Sequence, residues 1–158
     1  MNTILKVNNI TKTYNKGQQP SLDKVSFNVS EGEFIGIMGA SGSGKTTLLN
    51  VLSTIDKPTS GDIFINNINL KSLNDTCAAD FRKDNLGFIF QEYFLLDSLT
   101  IFENISVPLT LQKLNPDKIE NMVKSLAERF GIASQLNKYP NELSGGQRQR
   151  ASAVRAIV

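Results

Sequence analysis

An α/β fold with an antiparallel β edge and a helical insertion is predicted from three features of this 158-residue sequence. The first thirty residues alternate like half-buried strands. An all-apolar pentapeptide runs straight into a glycine-rich loop and a helical segment, and a well-capped amphipathic helix follows residue 91. The length suits one ordinary domain with a sizeable core, and 40% hydrophobic with 20% charged residues is a soluble globular composition.

The elements follow in order. Ile4-Leu5-Lys6-Val7 and Val25-Ser26-Phe27-Asn28-Val29 read as strands, separated by turn chemistry in Asn15-Lys16-Gly17-Gln18-Gln19-Pro20. Phe34-Ile35-Gly36-Ile37-Met38 is apolar throughout, as expected of a parallel strand covered on both faces. Residues 45–55 are expected to be helical, with Leu48, Leu49, Leu52 and Ile55 on one side. Gly61-Asp62-Ile63-Phe64-Ile65 returns to strand, a short helix is expected over residues 75–83, and Leu86-Gly87-Phe88-Ile89-Phe90 is a second apolar strand. The clearest helix covers residues 115–130. Asn115 suits its N-cap, Pro116 its first position and Gly131 its stop, and its apolar stripe is Ile119, Met122, Val123, Leu126 and Phe130. There is no internal repeat and no low-complexity linker.

Composition excludes several chemistries. A net charge of +2 gives no argument for nucleic acid or acidic membranes. The single cysteine, Cys77, rules out an intrachain disulfide and is expected to be a reduced, structural thiol in a cytosolic protein. With no histidine, Ser-His-Asp and Cys-His catalysis and His-ligated metals are excluded within this sequence. The start MNTILKVNN lacks the apolar run of a signal peptide, and the longest apolar runs are too short to cross a bilayer. A membrane is therefore expected to be met through a partner.

Gly39-Ala40-Ser41-Gly42-Ser43-Gly44-Lys45-Thr46 matches G-x-x-x-x-G-K-[ST] at every fixed position, with an apolar segment before it and a helical one after it. The glycines let the backbone wrap phosphates so that successive N–H groups form an anion nest. Lys45 would reach the β- and γ-phosphates of a nucleoside triphosphate, and the Thr46 hydroxyl would coordinate Mg²⁺. The plainer reading is a Gly/Ser-rich turn with a solvated lysine. This motif alone serves GTPases, small-molecule kinases, motor ATPases and transporter ATPases.

A second anion site stands at Leu143-Ser144-Gly145-Gly146-Gln147, where a Ser-Gly-Gly turn opens a helix. Alone it reads equally as a Ser-capped helix without a ligand. Together with the phosphate loop, it makes the chain resemble the ATP-binding-cassette (ABC) transporter ATPases, whose signature motif it matches in full. The resemblance implies a P-loop NTPase core, a head-to-tail dimer with a second ATP-binding subunit, and ATP shared between the phosphate loop of one subunit and the signature loop of the other. It also implies that Ser144, Gly145, Gly146 and Gln147 meet that nucleotide.

Further positions fit the resemblance. Gln91 stands where the family has its Q-loop glutamine, which contacts Mg²⁺ and the attacking water. Tyr14 stands where the family has an aromatic that stacks on adenine, although an aromatic beside a strand can also be plain core. Thr47 resembles the residue that supports the α-phosphate. Tyr93, Phe94 and Leu95 are candidate contacts for a multi-span membrane permease, or pack beneath the helical insertion. A rival reading makes Asp97 the metal-binding acid of another phosphate-loop class; it is disfavoured because Asp97 falls in expected loop, not at the end of a buried strand.

The stretches GASGSGKTTLLNVLSTID, GFIFQEYFLLDSLTIFENISVPL and NKYPNELSGGQRQRASAVRA look like the exporter branch that includes bacitracin-type antimicrobial-peptide resistance and lipoprotein- or macrolide-export ATPases. The implied organisation is a β-rich edge plus phosphate-loop core over 1–91, the Q-loop and helical insertion over 92–142, and the signature with its helix over 143–158. The sequence departs from the family in stopping at Val158, before the Walker B strand, its acids and the switch histidine. The expectation is a partial ATP-binding domain, truncated before the Walker B strand, that binds Mg-ATP with little turnover. The complete protein is expected to be cytoplasmic, peripheral on the inner face of the membrane through a permease, with no nucleic-acid partner. A regulatory nucleotide-binding module without hydrolysis and a soluble ABC protein are the alternative readings.

Overall fold

The computed structural model describes residues 2–15, 17 and 19–158. Lys16 and Gln18, in the expected turn, lie outside the described residues. The chain forms two compact units, Met1–Arg82 and Lys83–Val158.

The first unit is built on an antiparallel sheet. Strands β1 (Thr3–Lys12), β2 (Leu22–Ser30), β3 (Ser60–Ile65) and β4 (Ile68–Asn69) pair in the order β2-β1-β3-β4. Val7 lies opposite Phe27 on one side and Ile63 on the other, so three apolar residues share one face and fix the register of β1. A bulge interrupts β1 at Asn8 and Asn9, where Asn9 takes φ 48° and its N–H donates to Ser26 Oγ at 2.7 Å. Beyond the bulge, β1 runs on to Lys12, and the Thr13 N–H donates to Thr59 Oγ1 at 3.0 Å, which fixes the exit of the strand beside Tyr14.

Helix α1 (Lys45–Leu52) is shorter than expected. Thr54 adopts φ 60°, and Arg82 Nη1 donates to its carbonyl and hydroxyl at 3.1 and 2.9 Å, so the chain turns before Ile55. Leu48 and Val51 form the buried face, while Leu49 and Ile55 are exposed; the expected stripe was thus rotated by about one residue. Helix α2 (Asp75–Asn85) buries Ala78 and Phe81. Cys77, on its first turn, is free and exposed, which corrects its reading as a structural thiol.

The second unit is helical. Helix α3 (Ile101–Leu111), α4 (Pro116–Arg129) and α5 (Gly145–Ile157) enclose a core that includes Ile101, Ile105, Leu109, Val123, Ala151 and Val154. Helix α4 has its Asn115 cap, its Pro116 start and Gly131 at φ 65° after its end. Its expected stripe is buried or half-buried on this core.

Two expected strands are not formed. Residues 34–38 and 86–90 carry no sheet pairing among the described residues, and Phe34 and Met38 are 98% and 93% exposed. The physical reason is lateral: a parallel apolar strand is held by ladder bonds to neighbours and by layers on both faces, and hydrophobicity alone supplies neither.

Candidate functional site

The phosphate loop joins residue 39 to α1, and its geometry depends on glycine at one position above all. Gly44 takes φ 88°, and a Cβ there would collide with the Ser21 carbonyl oxygen. The loop is tightened by the Ser43 N–H donating to the Ala40 carbonyl at 3.2 Å. Lys45 folds back over it, donating through Nζ to the carbonyls of Gly39 and Ala40 at 2.8 and 2.6 Å. Residues 39–47 contain no carboxylate, so nothing on the loop itself opposes an anion. Ser41, Gly42 and Thr46 are exposed, and Thr47 is half-buried in the first turn of α1.

The N-terminus of α1 differs from the other capped helices. Gly44 offers no side-chain acceptor, so the first N–H groups of α1 keep their donor capacity. Thr100 caps α3, Asn115 caps α4 and Ser144 caps α5. An uncapped, glycine-led helix start beside a lysine is suited to phosphate oxygens.

Tyr14 is half-exposed in the first unit, with Lys12 Nζ 4.8 Å from its ring centroid. Lys12 Nζ also donates to Asp56 Oδ1 at 2.6 Å and to the Lys57 carbonyl at 2.9 Å. Burial alone would raise the Asp56 pKa; bonds from Lys12, the Lys57 N–H and the Tyr14 hydroxyl outweigh it and hold the carboxyl below its ordinary range. The pair of Lys12 and Asp56 under Tyr14 was not read from the sequence. The only signal was the spacing of Lys12 and Tyr14, two apart at a strand end.

In the second unit, Ser144 Oγ accepts the Gln147 N–H at 3.3 Å and Gln147 Oε1 accepts the Ser144 N–H at 2.9 Å. This capping box engages the Gln147 side chain within its own helix end, while Gly145 and Gly146 have no side chain to shield their N–H groups. Gln91 is exposed in a turn closed by the Tyr93 N–H donating to the Phe90 carbonyl at 3.2 Å. Of the three residues with a double reading, Leu95 packs on the helical core, Tyr93 is half-buried and Phe94 is exposed. Asp97 is exposed in a turn, as its loop placement required. Tyr14 and residues 39–47 thus belong to the first unit, Gln91 and residues 144–147 to the second.

A glycine-led loop before α1 and a Ser-Gly-Gly helix start at α5 are the features that mark the class, an α/β cassette, and its family follows from known relatives. The profile of the ABC transporter family matches residues 22–158. The chain is 52% identical to the ABC transporter ATP-binding protein YxdL of Bacillus subtilis, covering 100% of this chain and 62% of that protein. It is 50% identical to the bacitracin export ATP-binding protein BceA of Halalkalibacterium halodurans, covering 98% and 62%. The fold matches the dimeric post-hydrolysis structure of the ATP-binding cassette MJ0796 bound to ADP and Pi, with a TM-score of 0.88 and 38% identity, over 98% of this chain and 69% of that one. The chain belongs to the ABC transporter family and spans about three fifths of the length of those relatives.

Proposed function

We propose that this chain is the nucleotide-binding part of the ATP-binding subunit of an ABC-type exporter, and that it binds Mg-ATP through residues 39–47. The observation that carries this is the start of α1, whose free N–H groups, glycine-led loop and adjacent Lys45 form a site for the β- and γ-phosphates. Lys45 would exchange its two carbonyl partners for phosphate oxygens, and Thr47 would support the α-phosphate. Tyr14, held from one side by Lys12, keeps the rest of its half-exposed ring for the adenine.

The exposed Thr46 hydroxyl is an oxygen donor of the kind Mg²⁺ takes, and Thr46 and Gln91 are the protein groups that would hold the ion beside phosphate and water oxygens. When bound, the ion supplies charge neutralisation across the β- and γ-phosphate oxygens. Gln91 would also orient the attacking water. The MJ0796 cassette is dimeric, and that supports a head-to-tail pair in which Ser144, Gly145, Gly146 and Gln147 face a nucleotide held by the partner subunit. The likeness to a bacitracin export protein supports export of antimicrobial peptides through a multi-span permease, with the subunit peripheral on the cytoplasmic face. Among the described residues no helix is long and apolar enough to cross a membrane.

Calorimetric titration with Mg-ATP tests the first step. Lys45→Ala should weaken binding by about 1.5–3 kcal/mol, the range of charge-assisted hydrogen bonds. Unchanged affinity would remove Lys45 and the loop from the site.

A further inference from the structure

Two adjacent residues other than glycine, Tyr93 (φ 62°) and Phe94 (φ 42°), hold left-handed backbone. Ordinary side chains persist there only where their surroundings enforce it. Helix α5 supplies the enforcement. Arg155 donates through Nη1 to the Phe94 carbonyl at 2.6 Å and through Nη2 to the Tyr93 carbonyl at 2.7 Å. The buried Ser152 hydroxyl donates to the same Tyr93 carbonyl at 3.2 Å. Burial lowers the Arg155 pKa with no carboxylate contributing, so the guanidinium serves these two carbonyls.

The same stretch touches α5 at both ends. A Cβ placed on Gly145 would lie 3.9 Å from Tyr93 Oη, and Gly87 approaches the Ala156 carbonyl so closely that a Cβ would not fit. The chain therefore lies against α5 on both sides of Gln91, and is bonded to it at Tyr93 and Phe94.

We propose that Arg155, seconded by Ser152, is a positioning residue that clamps the Tyr93–Phe94 backbone, so that the Gln91 loop and the Ser144–Gly146 turn move as one body. This rests on the reading of Gln91 and that turn as parts of the ATP machinery. Lysine would replace arginine only in part, because its one nitrogen does not reproduce the rigid planar fork by which Nη1 and Nη2 each reach a separate carbonyl.

Hydrogen exchange followed by NMR in the wild-type chain and in Arg155→Met, Arg155→Lys and Ser152→Ala tests the clamp. The reporters are the Tyr93 and Phe94 amides, which donate to the Phe90 and Glu92 carbonyls. The controls are the Leu96 amide, held by buried Asn104 at 2.7 Å, and the amide of buried Val123. Arg155→Met should speed exchange at the reporters by about tenfold or more and leave the controls unchanged, with Arg155→Lys and Ser152→Ala intermediate. Unchanged reporters in Arg155→Met would overturn the proposal, as would an equal rise at Leu96 and Val123, which marks general destabilisation. Gln91→Ala separates the two readings. Unchanged Mg²⁺ dependence of ATP binding in that variant, followed by calorimetry, would end the role of Gln91, while the exchange result would still decide the clamp.

Discussion

Replacing Asn104 by alanine should destabilise the helical unit by about 2–4 kcal/mol, and the estimate can be worked bond by bond. Asn104 is fully buried on α3 and ties down the loop that follows Gln91. Its Oδ1 accepts the Leu96 N–H at 2.7 Å, and its Nδ2 donates to the carbonyls of Leu96, Leu99 and Thr100 at 3.0 Å each. In the variant, the Thr100 carbonyl still accepts the residue 104 N–H, and the Leu96 carbonyl still accepts the Leu99 N–H. The Leu96 N–H and the Leu99 carbonyl lose the partner they have here. Each buried group left unpaired costs about 1–3 kcal/mol, so two cost about 2–6, and water reaching the exposed Leu96 side holds the sum to about 2–4. With a urea slope of about 2 kcal/mol/M, the midpoint of the helical signal should fall by about 1–2 M. A fall below about 0.3 M at an unchanged slope would refute the reasoning, because it would mean that the amide holds nothing the backbone cannot hold itself.

Gly44→Ala should reduce Mg-ATP affinity by about tenfold or more, since its Cβ would push the loop off the Ser21 carbonyl and the φ of 88° would be strained; a binding titration checks this. The Asp56 carboxyl has a folded pKa below its ordinary 3.8, so its ion pair stabilises the fold above that value and is lost as pH falls through the lower folded one. Lys12→Met should therefore flatten the loss of thermal stability below about pH 4, read from melting midpoints across an acid series. Ser144→Ala should leave the ATP affinity of the lone chain unchanged but weaken ATP-dependent association, measured by sedimentation. Loss of affinity in the lone chain would show that the signature turn acts within its own subunit.

The parts of the molecule legible in the sequence are those in which local pattern and local structure coincide. The glycine turn that leads into α1 announces itself by Gly42 and Gly44, both at positive φ, and α4 because cap, proline and stripe agree. Strand β2 follows from the period-two alternation of Val25–Val29, and β1 and β3 from short apolar runs around Val7 and Ile63. Helix α3 was hidden by β-branched residues and by Pro108 inside it, although Thr100 and Glu103 already spelled its capping box. Residues 34–38 show the opposite failure: strand-like composition without a ladder. Arg155, Ser152 and the pairing of Lys12 with Asp56 were out of reach because their partners lie 44 to 62 residues away. No periodicity encodes such a distance.

The unequal capping of α1 and α5 sets an order of events. At α5 the third amide is already satisfied by Ser144, which leaves only the Gly145 and Gly146 amides unshielded. At α1 the corresponding donors have no side chain to settle on. A free anion meeting this chain would therefore lodge at residues 39–47 first, and the serine turn would come second, as a reader of what has already been loaded. Under the proposed function, such a hierarchy would separate possession of a nucleotide from response to one. It is written in two residues, a glycine before one helix and a serine before the other.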